Sequence, residues 1–314
     1  MTDFTAKAKG LIKAKAMPPP AVTISQAIAP GRPVIFTSPH SGRYYPPRFL
    51  AQSQLDDVTL RRSEDGYIDE LFAAAPCAGA TFITANYPRA YVDVNRGPFE
   101  LDPTMFADPL PPYVDSASER VAFGLGTIPR IVGAGLDIYR TRLRFAEAEQ
   151  RIKRIYHPFH HALGEQVQAM RERFGFAVLV DCHSMPSTLD ARKDRLLGGQ
   201  PDVVLGDCFG AGCALALVEF AETTLRRLGL KVARNDPYAG GYITRTYGRP
   251  EKGIHALQIE IARALYMDEH RIAKHGGFAS LRDLLTLFVQ RLAAQAAALG
   301  LAEDAPPPRR LAAE

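Results

Sequence analysis

Short apolar runs alternate with longer amphipathic stretches along this chain. Residues 33–38 are an apolar, β-branched run ending at Pro39, the pattern of a buried strand. Residues 63–75 carry Tyr67, Ile68, Leu71 and Phe72 at helical spacing behind an acidic start, which predicts a helix. Residues 81–84 and 89–95 read as two further strands, the second stopped by Gly97-Pro98. Residues 99–135 are rich in Pro and Gly and read as a long excursion, either functional or a small subdomain. A densely charged helical pattern covers 142–174, and 176–181 is a near-continuous apolar run, as in a strand covered on both faces. A helix over 211–228, a glycine-rich loop over 235–248, a strand over 256–261 and a helix over 277–299 complete the pattern. Strands alternating with helices predict a single α/β domain whose mixed, largely parallel sheet is flanked by helices. The expected division is an N-terminal tail and entry segment over 1–30, one domain over 31–300 and a C-terminal tail over 301–314.

Composition narrows the function classes. With 46% hydrophobic and 23% charged residues among 314, the chain has ample material for a large core. Its formal charge of +4 comes from arginines spread along the sequence, without the dense block that marks a nucleic-acid footprint. Cysteines at 77, 182, 208 and 213 show neither CxxC spacing nor a disulfide framework. The basic start lacks the apolar stretch of a secretory signal, and no run approaches the ~20 apolar residues of a membrane span. A cytoplasmic protein acting on a small molecule is expected, with homo-oligomerisation left open.

Polar residues with chemical capacity sit at the ends of the apolar runs, where ligands bind in such sheets. They are His40, Asn95 and Arg96, Asp181 and His183, and Glu260. Strand alternation puts Asp181 and His183 on one side and Cys182 on the other, which disfavours a Cys182–His183 nucleophilic pair and makes Cys182 a core residue. Gln258 and Glu260 likewise share a polar side, opposite Leu257, Ile259 and Ile261. A carboxylate among such neighbours is costly without a partner or a task. His157, His160 and His161 have no carboxylate at tight metal-ligand spacing and read as a helix-packing or surface cluster. Gly206 and Gly240-Gly241 match no phosphate-binding fingerprint and read as points of close backbone approach.

In the order Pro39-His40-Ser41-Gly42-Arg43, Asp93-Val94-Asn95-Arg96, Asp181-Cys182-His183-Ser184-Met185, Asp202 to Asp207, Asn235 to Tyr242, Gln258-Ile259-Glu260-Ile261 and Leu265 to Glu269, the sequence resembles the N-formylglutamate amidohydrolases. The resemblance spans nearly the whole ordered chain. It implies a fold similar to the zinc carboxypeptidases, of the phosphorylase/hydrolase-like type, and a place in histidine catabolism. It also implies a zinc ion held by His40 and His183, with a carboxylate as third ligand. The position three residues after His40 is Arg43, so that carboxylate comes from elsewhere; Asp65 is preferred and Glu64 is second choice. Two histidines and a carboxylate leave one position open, the arrangement of catalytic zinc, which brings the pKa of its water to about 7. Glu260 is implied as proton acceptor and donor, and Arg96 with Asn95 as the fork for a substrate carboxylate. Arg140 and Arg263 are weaker carboxylate binders, and Asp181 would orient His183. Members often carry Trp after the aspartate where this chain has Gly66, and it contains no Trp. The expected reaction is therefore hydrolysis of an N-formyl acidic amino acid, first of all N-formyl-L-glutamate. The alternatives are another N-acyl amino acid or small peptide, and a silent relative that only binds carboxylates.

Overall fold

The structure is a computed structural model that describes residues 17–28, 30–187 and 199–302. The expected tails therefore lie outside the described residues over 1–16 and 303–314. Strands β1 (Val22–Ser25), β2 (Val34–Ser38), β3 (Thr81–Ala85), β4 (Ile131–Val132), β5 (Leu136–Asp137), β6 (Ala177–Met185), β7 (Val203–Gly206), β8 (Val232–Arg234) and β9 (Ile254–Ala262) are joined by helices and loops. The helices are α1 (Pro47–Gln52), α2 (Asp57–Arg61), α3 (Ile68–Leu71), α4 (Glu119–Ala122), α5 (Phe145–Arg151), α6 (His157–Phe174), α7 (Leu215–Arg227), α8 (Tyr242–Tyr247) and α9 (Gly277–Gln295). Seven strands form one sheet in the order β1-β3-β2-β6-β9-β7-β8. β1 with β3 and β7 with β9 pair antiparallel; the other neighbours are parallel. The expected class, a mixed and largely parallel α/β sheet flanked by helices, is the one observed.

Alternation along the central strands divides the core into two layers. On one face Val34, Phe36, Val178, Val180, Cys182, Leu257, Ile259 and Ile261 pack against α3, α7 and α9. On the other, Ile35, Ile83, Ala177, Leu179 and Ala256 meet Phe159, Leu163 and Val167 of α6. Burying each Val, Leu or Ile is worth about 1.5–3 kcal/mol, so these strands dominate the stabilisation. On the α6 face the apolar series stops where the strands approach their carboxyl ends. Asp181 and His183 continue the Ala177-Leu179 side of β6, and Gln258 and Glu260 continue the Ala256 side of β9. The register sets Asp181 beside Gln258 and His183 beside Glu260.

Three sequence expectations fail locally. Residues 89–95 form turns rather than a strand. Val92 and Val94 are buried and alternate with Asp93 and Asn95, but their backbone has no ladder partner. Tyr91 N–H and Val92 N–H instead donate to the Pro88 carbonyl, and Asn95 N–H donates to the Asp93 carboxylate at 2.8 Å. The helix expected over 63–75 is confined to α3, because Tyr67 adopts φ 66°, a left-handed conformation that blocks an earlier start. The strands β7 and β8 and the helix α8 arise where the pattern predicted a bare connection or a loop.

Candidate active site

Four buried side chains meet at the carboxyl ends of β2, β6 and β9. His40 follows β2, and its Nδ1 lies 3.1 Å from Asp65 Oδ2. His183 points its own Nδ1 at the same oxygen, 2.9 Å away. The outer nitrogens face other carboxylates: His40 Nε2 is 2.7 Å from Asp93 Oδ1, and His183 Nε2 is 3.0 Å from Asp181 Oδ2. A neutral imidazole has one N–H and one lone pair, so neither ring can donate to both of its carboxylates. With the outer nitrogens donating, both inner lone pairs point at Asp65 Oδ2 and need a cation among them. The inner atoms of His40, Asp65 and His183 lie within 4.8 Å of one another. The distances of 3.1 and 2.9 Å are close to the roughly 3.3 Å between neighbouring ligands of a tetrahedral zinc ion. This donor set fits a divalent metal of zinc's type.

The surroundings fix these three groups. Asp65 Oδ1 accepts from Ser184 Oγ at 3.2 Å and from Arg263 Nη2 at 3.2 Å, which turns Oδ2 toward the histidines. Burial pushes the Asp65 carboxyl up, yet the His183 and His40 rings that face it outweigh burial and hold it well below the usual range. Burial pushes the His183 imidazole down, but the adjacent Asp181 carboxylate prevails and raises it well above its ordinary value. Glu64 is turned away into a buried pair with Arg61 (3.1 Å) and accepts from Tyr45 Oη at 2.7 Å. Of the two neighbouring acids, Asp65 is the one that faces the histidines.

Glu260 lies beside His183, 8% exposed, and accepts from Gln258 Nε2 at 3.0 Å. Burial raises its carboxyl to about 7, against a partial lowering by His183. Asn95 Nδ2 is 3.0 Å from His183 Nε2 and 3.2 Å from Asp181 Oδ2, while its Oδ1 accepts from Ile243 N–H of α8. Gly241 permits this approach, since a Cβ there would stand 2.5 Å from Asn95 Nδ2. Arg96 donates through Nε to the Leu125 carbonyl (2.8 Å) and through Nη1 to the Asn95 carbonyl (2.7 Å), with Nη2 3.6 Å from Asp93. His40, Asp65, Asn95, Arg96, His183 and Glu260 all line one cavity of about 920 Å³. Arg263 lines it too, whereas Arg140 does not and donates to the Ser53 carbonyl.

The model of the N-formylglutamate amidohydrolase family matches residues 32–267, three quarters of the chain and a range that contains the groups just described. The chain belongs to that family. It is 38% identical to the N-formylglutamate amidohydrolase of Ralstonia eutropha JMP134, whose crystal structure superposes with a TM-score of 0.80, covering 87% of this chain and 97% of that one. It is 30% identical to the N-formylglutamate deformylase of Pseudomonas aeruginosa over 76% of this chain and 83% of the relative. The deformylase of Pseudomonas putida is 29% identical over 76% and 82% respectively. This amidohydrolase is thus an amide-cleaving enzyme, and among its described residues no helix is long and apolar enough to cross a membrane.

Sequence reasoning left out three groups of this amidohydrolase site. Asp93 braces His40 and binds Arg89 Nη2 at 2.8 Å. Arg89 and Tyr238 line the cavity. The signal for Asp93 was its spacing of two from Asn95 between apolar residues; Arg89 and Tyr238 left none. The histidine cluster of α6 splits up: His157 and His161 are exposed, while His160 is buried enough to hold the loop behind Asn95 through a 2.8 Å bond to the Val94 carbonyl.

Proposed function

We propose that this amidohydrolase is a zinc-dependent deformylase that splits N-formyl-L-glutamate into formate and L-glutamate. The observation that carries the reading is the single oxygen, Asp65 Oδ2, facing the inner nitrogens of two histidines whose outer nitrogens are already engaged. His40, Asp65 and His183 would hold the ion, which when bound supplies Lewis acidity beside the amide. Glu260 accepts a proton from the attacking water and returns it to the departing nitrogen. Burial raises that carboxyl and so favours the return of the proton, while the neighbouring cations favour the ionised form that takes it up. Water adds across the C–N bond, so formate leaves and the amine of the amino acid is freed. Asn95 and Arg96 bind a substrate carboxylate, Arg96 through the Nη2 edge that its backbone bonds leave over. Asp181 and Asp93 keep the two imidazoles in the tautomer that turns a lone pair inward. On this reading the enzyme works in the cytoplasm, in histidine catabolism.

Metal analysis and a formate-release assay test the proposal together. The purified protein should hold about one zinc ion per chain, as three-ligand catalytic sites do. A His40→Ala/His183→Ala double variant should lose metal and activity alike. N-formyl-L-glutamate should be cleaved in preference to its N-acetyl and N-succinyl counterparts. Full zinc occupancy in the double variant would remove the metal assignment, and preference for a larger acyl group would replace the substrate.

A further inference from the structure

Five arginines line the cavity: Arg62, Arg89, Arg96, Arg120 and Arg263. Three of them are tied into its wall, although the Nη2 edge of Arg96 makes only a 3.6 Å ion pair with Asp93 and no hydrogen bond. Arg89 is held by Asp93, Arg96 by two carbonyls and Asp93, and Arg263 by Asp65, Ser184 and the Glu64 carbonyl. Among the described residues, the guanidiniums of Arg62 and Arg120 make neither a hydrogen bond nor an ion pair. Arg120 differs from Arg62 in how its backbone is tied to the site. Its carbonyl accepts from Leu125 N–H at 2.8 Å, and the Leu125 carbonyl accepts from Arg96 Nε at 2.8 Å. The other end of α4 is tethered as well: Ser118 Oγ donates to Glu100 Oε2 at 2.9 Å, and Glu100 Oε1 accepts from Gly97 N–H, next to Arg96. The close approach of Gly126, where a Cβ would lie 2.2 Å from the Glu100 carbonyl oxygen, locks the same turn. The excursion over 99–135 is therefore built around Arg96, and from that base it presents a second, exposed guanidinium to the cavity.

Two cations at one end of a cavity repel each other unless an anion lies between them. Burial does most to lower the Arg96 guanidinium, and the positive charges of Arg89 and then Arg120 add to it. Arg96 is 9% exposed and sits against Asn95 beside His183, close to where the amide must lie; Arg120 is exposed at the mouth. An N-acyl glutamate carries one carboxylate on the carbon bearing the amide nitrogen and a second at the end of its side chain. We infer that Arg120 is the specificity-determining residue that binds the side-chain carboxylate of a dicarboxylic N-acyl amino acid, with Arg96 taking the inner one. This rests on the deformylase reading for the identity of the acyl group, and on the cavity's own charges for the second carboxylate.

Arg120→Met and the control Arg62→Met, both zinc-loaded, separate recognition from general attraction. On N-formyl-L-glutamate, Arg120→Met should lower kcat/KM at least about tenfold, the usual scale for losing a charge-assisted contact of roughly 1.4 kcal/mol. On N-formyl-L-glutamine, which keeps the inner carboxylate and replaces the outer one by a neutral amide, the loss should stay within about twofold. Arg62→Met should leave the ratio between the substrates unchanged. Equal losses on both substrates, no loss, or the same selectivity change in Arg62→Met would each overturn the assignment. Calorimetry with the amino acids themselves keeps it apart from the deformylase reading. Wild type should bind L-glutamate more tightly than L-glutamine, and Arg120→Met should abolish that preference. If wild type cleaves no N-formyl amino acid, the deformylase reading falls while the preference still tests Arg120; if wild type has no preference, Arg120 falls.

Discussion

Glu64 and Asp65 are adjacent acids whose neighbours settle different fates for them. Glu64 meets the Arg61 fork and the Tyr45 hydroxyl, so its charge is matched without any ion. Asp65 Oδ2 faces two lone pairs and has no such completion. Asp65→Asn should therefore strip bound zinc while leaving the protein folded. Glu64→Gln should retain the metal but destabilise the fold by about 3–5 kcal/mol, because the buried Arg61 loses its counter-charge. Metal analysis alongside chemical denaturation checks both, and the reverse pattern would exchange the two roles. The sequence alone could rank these acids only by a resemblance, since nothing in their spacing reveals which one turns inward. His40, His183 and Glu260 were legible because each follows or interrupts an apolar strand. The role of Asp93 was not, because its spacing from Asn95 says nothing of its partner His40, 53 positions away.

At the scale of elements, the long helical pattern over 142–174 hides a device that periodicity does not show. α5 and α6 are continuous through a π-helical stretch, Ile152–Tyr156. The wider turn re-aims the residues that follow it. Tyr156 Oη donates to the Arg96 carbonyl at 2.7 Å, and one turn later His160 holds the Val94 carbonyl. The segment carrying Asp93, Asn95 and Arg96 is thus a loop clamped from behind, which explains why strand-like alternation was a misleading guide to it. Tyr156→Phe removes one donor and leaves the buried Arg96 carbonyl without it, at a cost of about 1–3 kcal/mol in stability. Turnover of N-formyl-L-glutamate should fall through a raised KM with kcat nearly kept, since the loop presents Arg96. A loss confined to kcat would mean that the clamp serves the catalytic groups and not the binding of substrate.

Over the whole molecule, the sheet was legible because its central strands are buried on both faces and so read as unbroken apolar runs; β7 and β8, at four and three residues, were too short to register. The same burial leaves a mark on stability. Folding moves the Glu260 carboxyl from an ordinary 4.5 to about 7, chiefly through burial, so the folded protein holds a proton there that the unfolded chain has released. The stability this proton contributes is complete below pH 4.5 and is lost as pH rises through about 7. Asp65 acts in the opposite sense: its depressed pKa stabilises above 3.8 and is lost as pH falls through the folded value. Comparing wild type with Glu260→Gln cancels the Asp65 contribution, present in both. After removal of metal by a chelator, the two proteins should be similarly stable near pH 4.5, and Glu260→Gln should be the more stable at pH 8. The gap at pH 8 should be on the order of 3 kcal/mol, the equivalent of that pKa displacement. Zinc should narrow the gap, because a cation beside His183 favours the ionised carboxylate that only wild type can offer. Denaturant titrations at the two pH values, with and without zinc, measure all four quantities. A gap that is flat with pH would mean that Glu260 is ionised throughout, and its part in moving protons near neutrality would then need another origin.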